Sequence, residues 1–299
     1  MRAVRFHQYG GPEVLTLEDA SEPHAGPGQV RIRVAASSVN PVDWKIREGY
    51  LHEMMPVAFP AIPGTDAAGV VDEVGEAVTD VTVGDAVFGL AQGGAAESAV
   101  LTAWARVPSV WTMEQAAAAG LASATAIAGL DALGDTSGKT ILIEGASGGV
   151  GSAAVEIATA RGASVIGTAS EVNHEFLRSL GATPVTYGPG LADRVAAVAP
   201  GGVDAALDLA GSGSLAELVA IVGDPAKVAS AADFSAPALG VTMVAGNADA
   251  AANLAAAAEL GAAGSYTPRI QATYSLEQLA EAQAHVQNGH TQGKVVITV

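Results

Sequence analysis

The segment from Thr140 to Gly151 joins a short apolar run to four closely spaced glycines, and a helix-like segment, Ser152 to Ala160, follows it. Glycine at such a turn lets the backbone approach phosphate oxygens, and a helix N-terminus offers free N–H groups and the positive end of its dipole. A tight strand-to-helix turn also favours glycine without a ligand. The further strands that follow at crossover spacing favour a dinucleotide site. The residues expected to bind its pyrophosphate are Ala146, Ser147, Gly148, Gly149, Val150 and Gly151.

The residues at the end of the second strand of this region bear on which dinucleotide would bind. An acidic residue about 20 residues beyond the glycines would hold the adenosine ribose and favour NAD. Ala169 occupies that position and Ser170 follows it, so a 2′-phosphate would fit. Ser170 and Asn173 can hydrogen-bond to a phosphate, but Glu171 would repel it and none of residues 171–173 is a lysine or arginine. We therefore expect a modest preference for NADP(H), with NAD(H) also possible.

The elements that must position these residues differ between the two halves of the chain. Before about residue 110 the apolar segments are short, rich in Val, Ile and Phe, and broken by Gly, Pro and Asp, which predicts a mainly-β region. After it, helical and strand-like segments alternate to about residue 260, which is typical of a doubly wound parallel sheet. The predicted strands are Arg31 to Val34, Ala68 to Val74, Ala86 to Leu90, Ala163 to Thr168, Thr183 to Tyr187 and Lys294 to Val299, and the predicted helices are Met113 to Leu133, Val172 to Leu180 and Leu276 to Asn288.

The strand that ends at Tyr187 and the strand at the C-terminus allow two further predictions. Tyr187, at the end of a strand, either flanks the adenine or covers the core, and Gly181 would end the preceding helix. The β-prone run at the C-terminus follows a helix and a glycine, and we expect it to return to the first half of the molecule.

Composition excludes several classes of protein. The chain has 299 residues, of which 49% are hydrophobic, so it can bury a large core and is not disordered. Its 14 basic and 31 acidic residues give a net charge of −17, which opposes binding to nucleic acid or to an anionic membrane. The absence of cysteine excludes disulfides, thiolate nucleophiles and cysteine-ligated zinc. With no apolar signal-peptide core and no segment that could span a bilayer, we expect a cytoplasmic protein.

Six motifs, in the same order along the chain, resemble the zinc-independent medium-chain dehydrogenases/reductases, and most closely their quinone oxidoreductase, or zeta-crystallin-like, branch. The resemblance implies an α/β protein with a GroES-like, mainly-β catalytic domain (residues 1–110, completed by 266–299) and a doubly wound Rossmann domain (111–265). It also implies a nicotinamide cofactor in the cleft and a homodimer. The motifs are Asn40-Pro-Val-Asp43-Trp-Lys, Pro63-Gly-Thr-Asp-Ala-Ala-Gly69 with Val-Val-Asp-Glu-Val-Gly75, Gly84-Asp-Ala-Val-Phe-Gly89, Ala122-Ser-Ala-Thr125-Ala, Gly145-Ala-Ser-Gly-Gly-Val-Gly151 and His290-Thr-Gln-Gly-Lys294-Val-Val.

The same resemblance bears on zinc. Metal-using relatives place a cysteine where Asn40 stands and a His-Glu pair where Thr65 and Asp66 stand, and a catalytic zinc needs about three protein ligands. The six histidines are scattered without ligand spacing, so we predict no metal. Without a Lewis acid to polarise an alcohol, hydride delivery to an already electrophilic quinone or enone is favoured over alcohol oxidation.

The catalytic candidates are Asn40, Tyr50 and Thr125, and each has a structural alternative. The resemblance places Asn40 beside the nicotinamide, where its amide could orient the ring or donate to the substrate oxygen; the alternative is a turn residue before a proline. Thr125 matches a position close to the nicotinamide, or is a helix hydroxyl bonded to its own backbone. Tyr50 either faces the substrate or forms the cleft wall. Asp43 is a candidate for holding its loop, and Lys294 is expected to contact the cofactor.

The sequence therefore predicts an NADPH-dependent, zinc-independent reductase of quinones or other activated enones and carbonyls. Short-chain dehydrogenases share the glycine pattern, but none of the five tyrosines here has their lysine four residues later. The remaining alternative is a non-catalytic nucleotide-binding sensor or structural protein with the same fold.

Overall fold

Two six-stranded sheets dominate the computed structural model, which describes residues 1–245 and 249–299. The strands are β1 (Arg2–Arg5), β2 (Thr16–Asp19), β3 (Val30–Val39), β4 (Asp66–Val74), β5 (Ala86–Gln92), β6 (Ser98–Arg106), β7 (Thr140–Glu144), β8 (Ser164–Ala169), β9 (Thr183–Thr186), β10 (Ala205–Asp208), β11 (Val228–Ser230), β12 (Thr242–Met243), β13 (Ile270–Ser275) and β14 (Lys294–Thr298). The α-helices are α1 (Pro41–Arg47), α2 (Met113–Ala132), α3 (Gly149–Ala160), α4 (His174–Ser179), α5 (Leu191–Val198), α6 (Leu215–Val222), α7 (Ala250–Ala262) and α8 (Leu279–Gln287). Short 3-10 turns lie at Pro12–Val14, Glu171–Asn173, Pro225–Lys227, Ala236–Leu239 and Leu276–Gln278.

The first sheet has the order β13-β14-β3-β4-β5-β6, and β3 also pairs with β6. Strand β3 lies inside this sheet, between β14 and β4. Its Val30, Ile32 and Val34 alternate with more exposed residues and face a hydrophobic core. Strand β14 lies antiparallel to β3 and parallel to β13. The C-terminal segment therefore lies in the same sheet as strands from the first 110 residues.

The second sheet is parallel throughout, in the order β12-β11-β10-β7-β8-β9. From β7 the chain proceeds outward through β8 and β9, and it then returns to the other side of β7 at β10. A crevice opens at such a reversal, at the carboxyl ends of the strands, and dinucleotides bind there. The predicted α/β architecture, with a mainly-β region and a doubly wound parallel sheet, is confirmed.

Helix α2 packs between the sheets, against β4 and β5 on one side and against α3 and α7 on the other. Such a position requires an apolar surface all round, which its alanine-rich sequence supplies. Its Gly120 permits close approach, since a Cβ there would lie 2.5 Å from the Cβ of Asp66. In the described part of the chain, no helix has the length and apolarity needed to cross a membrane.

Several element boundaries differ from the sequence-based expectation, and three of them lie beside the cleft. Helix α3 begins at Gly149 instead of Ser152, because the glycines themselves adopt its first turn. The helix expected over 172–180 begins with a 3-10 turn and becomes α-helical at His174, and Gly181 follows its end with a φ of 94°. Strand β9 ends at Thr186, which leaves Tyr187 outside the sheet.

Candidate active site

A cleft of about 380 Å³ lies at the carboxyl ends of β7, β8, β9 and β10. Its opposite wall comes from the first sheet and from the C-terminal segment, through Asn40 and residues 289–295. Backbone pairing joins the two walls, because the Gly293 N–H donates to the Ser147 carbonyl over 2.8 Å. The cleft therefore lies between the two sheets, and this hydrogen bond connects its two walls.

The turn between β7 and α3 needs glycine for geometric reasons. Gly145 has a φ of 73°, in the left-handed region that favours glycine. At Gly151 a Cβ would lie 2.1 Å from the Gly145 carbonyl oxygen, so any side chain there would displace the turn. At Gly148 a Cβ would meet only that same oxygen, at 3.5 Å, which is an ordinary contact. Gly148 thus leaves open space beside the cleft at the start of α3, where the helix presents its free N–H groups.

Ala146 and Ser147 were both expected to bind the pyrophosphate, but they have different surroundings in the structure. Ala146 is fully buried, and its N–H donates to the Thr168 carbonyl at 3.1 Å, so it supports the turn and does not line the cleft. Ser147 lines the cleft, and its hydroxyl accepts a hydrogen bond from Asn173 at 3.2 Å.

The four residues expected near the adenosine half of the cofactor line one end of the cleft: Ala169, Ser170, Asn173 and Tyr187. The Ser170 hydroxyl is buried and has no hydrogen-bond partner among the described residues. The amide of Asn173 makes two contacts within the protein: its nitrogen donates one hydrogen to Ser147, and its oxygen accepts from Gln292 at 2.7 Å. Asn173 therefore joins the turn to the C-terminal segment.

Tyr187 is 47% exposed, and its loop is held by a single guanidinium. Arg194 donates to the carbonyls of Thr186, Gly188 and Pro189 at 2.7 to 2.9 Å. This contact fixes the backbone on both sides of the ring, as a platform for an aromatic base requires.

The opposite end of the cleft contains a buried polar cluster centred on Asn40. The amide of Asn40 donates to the Thr65 hydroxyl at 3.1 Å and to Asp66 Oδ2 at 3.0 Å, and its oxygen accepts from the Lys294 ammonium at 2.6 Å. Asn40 stands before the proline that begins α1, and its own N–H donates to Asp43 at 2.7 Å. Asn40 thus combines both expected positions, a turn residue and a residue that lines the cleft.

Two carboxyls in this cluster are buried in different ways. Asp66 is fully buried, and it accepts hydrogen bonds from Ser38, Asn40 and the Leu121 N–H. Asp43 holds the loop, but its Oδ1 has no partner among the described residues. Burial, followed by the repulsion of Asp66, raises the pKa of Asp43 to about 7.

The structure places the other two catalytic candidates outside the residues that line the cleft. Tyr50 is 69% exposed, and its ring lies edge-on to Trp44 with the centroids 6.1 Å apart. Thr125 is buried within α2.

Two carboxyls that the sequence analysis did not single out fix the wall beyond β7. Glu144 lines the cleft and accepts hydrogen bonds from Ser212 and Ser214, and burial raises its pKa. Asp208 holds the same loop through the N–H groups of Ala210 and Gly211, at 2.9 Å each. A charged residue at the end of each apolar strand is the signal that could have identified both.

The Asn40 cluster does not fit a zinc ion. Its amide oxygen already contacts an ammonium, its amide hydrogens are both donated, and the chain has no cysteine. Among the residues that the structure describes, no group of three or more His, Cys, Asp or Glu side chains could hold a metal.

Comparison with known proteins gives matches over most of the chain. Residues 26–120 match the alcohol dehydrogenase GroES-like domain, and residues 180–297 match a family described as zinc-binding dehydrogenase. A quinone oxidoreductase of Sus scrofa is 44% identical over 176 residues, which cover 56% of this chain and 53% of that protein. The chain thus spans about half the length of this curated relative.

Solved structures extend the match to the whole chain. An alcohol dehydrogenase superfamily protein from Novosphingobium aromaticivorans is 34% identical with a TM-score of 0.89, over 100% of this chain and 99% of that one. A mycobacterial protein solved in complex with NADPH is 26% identical with a TM-score of 0.85, over 100% of both chains.

Proposed function

Because the chain belongs to the medium-chain dehydrogenase/reductase superfamily, in its quinone oxidoreductase branch, we propose that it is an NADPH-dependent reductase. It transfers hydride to a quinone or to another activated enone or carbonyl acceptor, without zinc. The observation that carries this proposal is the cleft, which joins the N-terminus of α3 to the buried Asn40 and Lys294 pair. The first is suited to a pyrophosphate and the second to a polar reacting group.

The adenosine end of the cleft supports NADPH over NADH. Ala169 leaves no carboxylate to hold ribose hydroxyls, and the Ser170 hydroxyl is free to donate to a 2′-phosphate. Lys294, at the other end, is the only cation among the described residues that line the cleft, so no charge there balances the phosphate. The preference is therefore modest. The relative solved with NADPH supports the same choice.

The proposed roles of the chain's residues follow from their placement. The N–H groups at the start of α3 bind the pyrophosphate, Ser170 and Tyr187 bind the adenosine half, and Asn40 with Lys294 lies at the nicotinamide half. When bound, the cofactor supplies the hydride. Thr125 and Tyr50 lie outside the lining in this structure, and we propose for them at most an indirect contribution.

A cofactor oxidation assay tests the proposal. We expect NADPH to be oxidised with 1,4-benzoquinone and with a cyclic enone, more efficiently than NADH, and the rate to survive exhaustive chelation. Tight NADPH binding without turnover on any acceptor would instead support the nucleotide-binding sensor. Activity that disappears together with a stoichiometric zinc would contradict the zinc-independent reaction.

We further propose a cytoplasmic homodimer. Strand β12 ends the second sheet, and within the described residues its outer edge is unpaired. An open edge of this kind is suited to pairing with a second copy.

A further inference from the structure

Lys294 is a buried cation whose hydrogen-bond partners are all neutral. It is 5% exposed, and its ammonium donates to the Val39 carbonyl at 3.0 Å and to Asn40 Oδ1 at 2.6 Å. No ion pair includes it among the described residues; Asp66 and Asp43 act on it only through space. A buried charge without a paired counter-ion is costly, so its retention indicates a role in function.

The amide of Asn40 has no hydrogen left for a substrate. Both Nδ2 hydrogens are donated, to Thr65 and to Asp66, and its oxygen accepts from Lys294. To donate to an acceptor oxygen, Asn40 would have to break a bond to a buried partner, which leaves that partner unsatisfied.

The Lys294 ammonium, in contrast, has a hydrogen to spare. It carries three hydrogens, and two of them have acceptors. The side chain lines the cleft and runs beneath the first turn of α3, where a Cβ on Gly149 would lie 2.4 Å from Lys294 Cδ. The stem therefore occupies the space that a side chain at position 149 would need, and the ammonium beyond it bonds to Val39 and Asn40.

We propose, on the premise of the reductase function above, that the Lys294 ammonium donates the hydrogen bond to the acceptor's carbonyl oxygen, and that Asn40 positions Lys294. A hydride, with its electron pair, leaves the dihydronicotinamide and forms a C–H bond on the acceptor, whose C=O π pair moves to the oxygen. The oxygen takes a proton from Lys294, and the amine takes one from water. The dinucleotide is oxidised and the acceptor is reduced, so electrons and protons balance.

The surrounding charges suit this role. Burial lowers the pKa of Lys294, which makes the ammonium a readier proton donor, while the Asp66 and Asp43 carboxylates oppose that shift and hold the charge in place. Since neither carboxylate contacts the ammonium directly, neither competes for its third hydrogen.

The first test uses 4-nitrophenol, whose absorbance reports ionisation, as a probe of an oxyanion without any cofactor. We expect the wild-type protein to bind the phenolate and to raise the acid dissociation constant of the bound phenol about 10-fold or more. Lys294→Met, which keeps the stem, should abolish this effect, whereas Lys227→Met at an exposed site should leave it unchanged. Ionisation unaltered in the wild-type protein, or equal in wild type and Lys294→Met, would overturn the proposal.

The second test separates the acceptor from the cofactor. In single-turnover hydride transfer from bound NADPH to 1,4-benzoquinone, Lys294→Met should slow the step by about 100- to 1000-fold. NADPH affinity, measured by calorimetry, should stay within about threefold of wild type. An affinity loss as large as the rate loss would make Lys294 a cofactor ligand and would contradict the proposal. A wild-type protein that shifts 4-nitrophenol but reduces no acceptor would refute the reductase function alone.

Discussion

At the scale of single residues, the site depends on which polar atoms are already used. Asn40 and Asn173 are the two amides that the sequence placed at opposite ends of the cofactor. Asn40 donates both of its Nδ2 hydrogens, to Thr65 and to Asp66, whereas Asn173 donates one, to Ser147. Three donors at the site have a hydrogen without an acceptor among the described residues: the Ser170 hydroxyl, the Asn173 amide and the Lys294 ammonium. Residue type alone therefore does not tell which of these polar atoms is free to donate.

Asp43 gives a prediction about pH. Its pKa is raised to about 7 in the folded protein from about 3.9 in the unfolded chain, so between these values only the folded state keeps the proton. Stability should then fall as pH rises through this window, by about 1.4 kcal/mol per pH unit, and become level above pH 7. Asp43→Asn keeps a neutral acceptor for the Asn40 N–H and should remove this dependence. Urea unfolding of both proteins from pH 5 to pH 8 measures the difference.

The control for that prediction is Asp193→Asn, which removes an exposed carboxylate on α5. Its stability should follow the wild-type pH dependence in parallel. If the stability of Asp43→Asn also changes with pH as that of the wild-type protein does, the Asp43 carboxyl is ionised in the folded state throughout the range. That result would contradict the prediction.

At the scale of elements, the glycines in the turn between β7 and α3 differ in why a side chain would be unfavourable there. A side chain at Gly151 would clash with the Gly145 carbonyl oxygen. A side chain at Gly148 would not clash, but it would fill the open space beside the cleft. The sequence predicted the strand, the turn and the helix because each has a local signal in glycine spacing and apolar periodicity. It missed the start of α3 by three residues, since glycine is a poor helix former and its place in the first turn is set by the contacts of the turn.

Gly148→Val should weaken the binding of NADPH and NADH alike, by about 10-fold or more, because the new side chain occupies the cleft where the pyrophosphate approaches α3. The fold should tolerate it, as Gly148 has an ordinary φ of −73° and a Cβ there meets only one atom, at contact distance. Calorimetric titration with each cofactor measures the effect, and the thermal midpoint checks the fold.

Gly201→Val is the matched control, because a Cβ at Gly201 has no neighbour within 4 Å and the residue lies outside the cleft. It should bind both cofactors as wild type does. Undiminished binding by Gly148→Val would place the pyrophosphate elsewhere.

At the scale of the whole molecule, the C-terminal segment joins the two sheets through the Gly293 to Ser147 bond, the Gln292 to Asn173 bond and the Arg269 to Glu156 ion pair. The sequence indicated that this segment is a strand, and its motif resemblance connected it to the first domain. The contact of Lys294 with Asn40 has no local signal, because the two residues meet only through strand pairing. The domain limits at residues 110 and 265 stay a proposal.

The proposed homodimer can be tested at the β12 edge. The Val244 N–H donates to the Ser230 carbonyl, so by alternation the Met243 N–H points away from β11, towards the open edge. Wild type should show twice the chain mass of 29.6 kDa in light scattering, and Met243→Pro, which removes that N–H, should favour the monomer. A monomeric wild type contradicts the dimer, and a dimeric Met243→Pro places the contact elsewhere.

The position of β14 between β13 and β3 also has a consequence for the order in which the protein folds. Lys294 and its partner Val39 lie 255 residues apart in the chain, and pairing over such a separation is slow because a long loop must close first. In the parallel sheet that carries the phosphate turn, the longest pairing joins Ile141 to Ala205, which is a much shorter separation. Dinucleotide affinity should therefore mature earlier in folding than the charge at the reacting end of the cleft. Until β14 docks, one edge of β3 is open to association with other chains, so intermediates at this stage are the ones most exposed to aggregation.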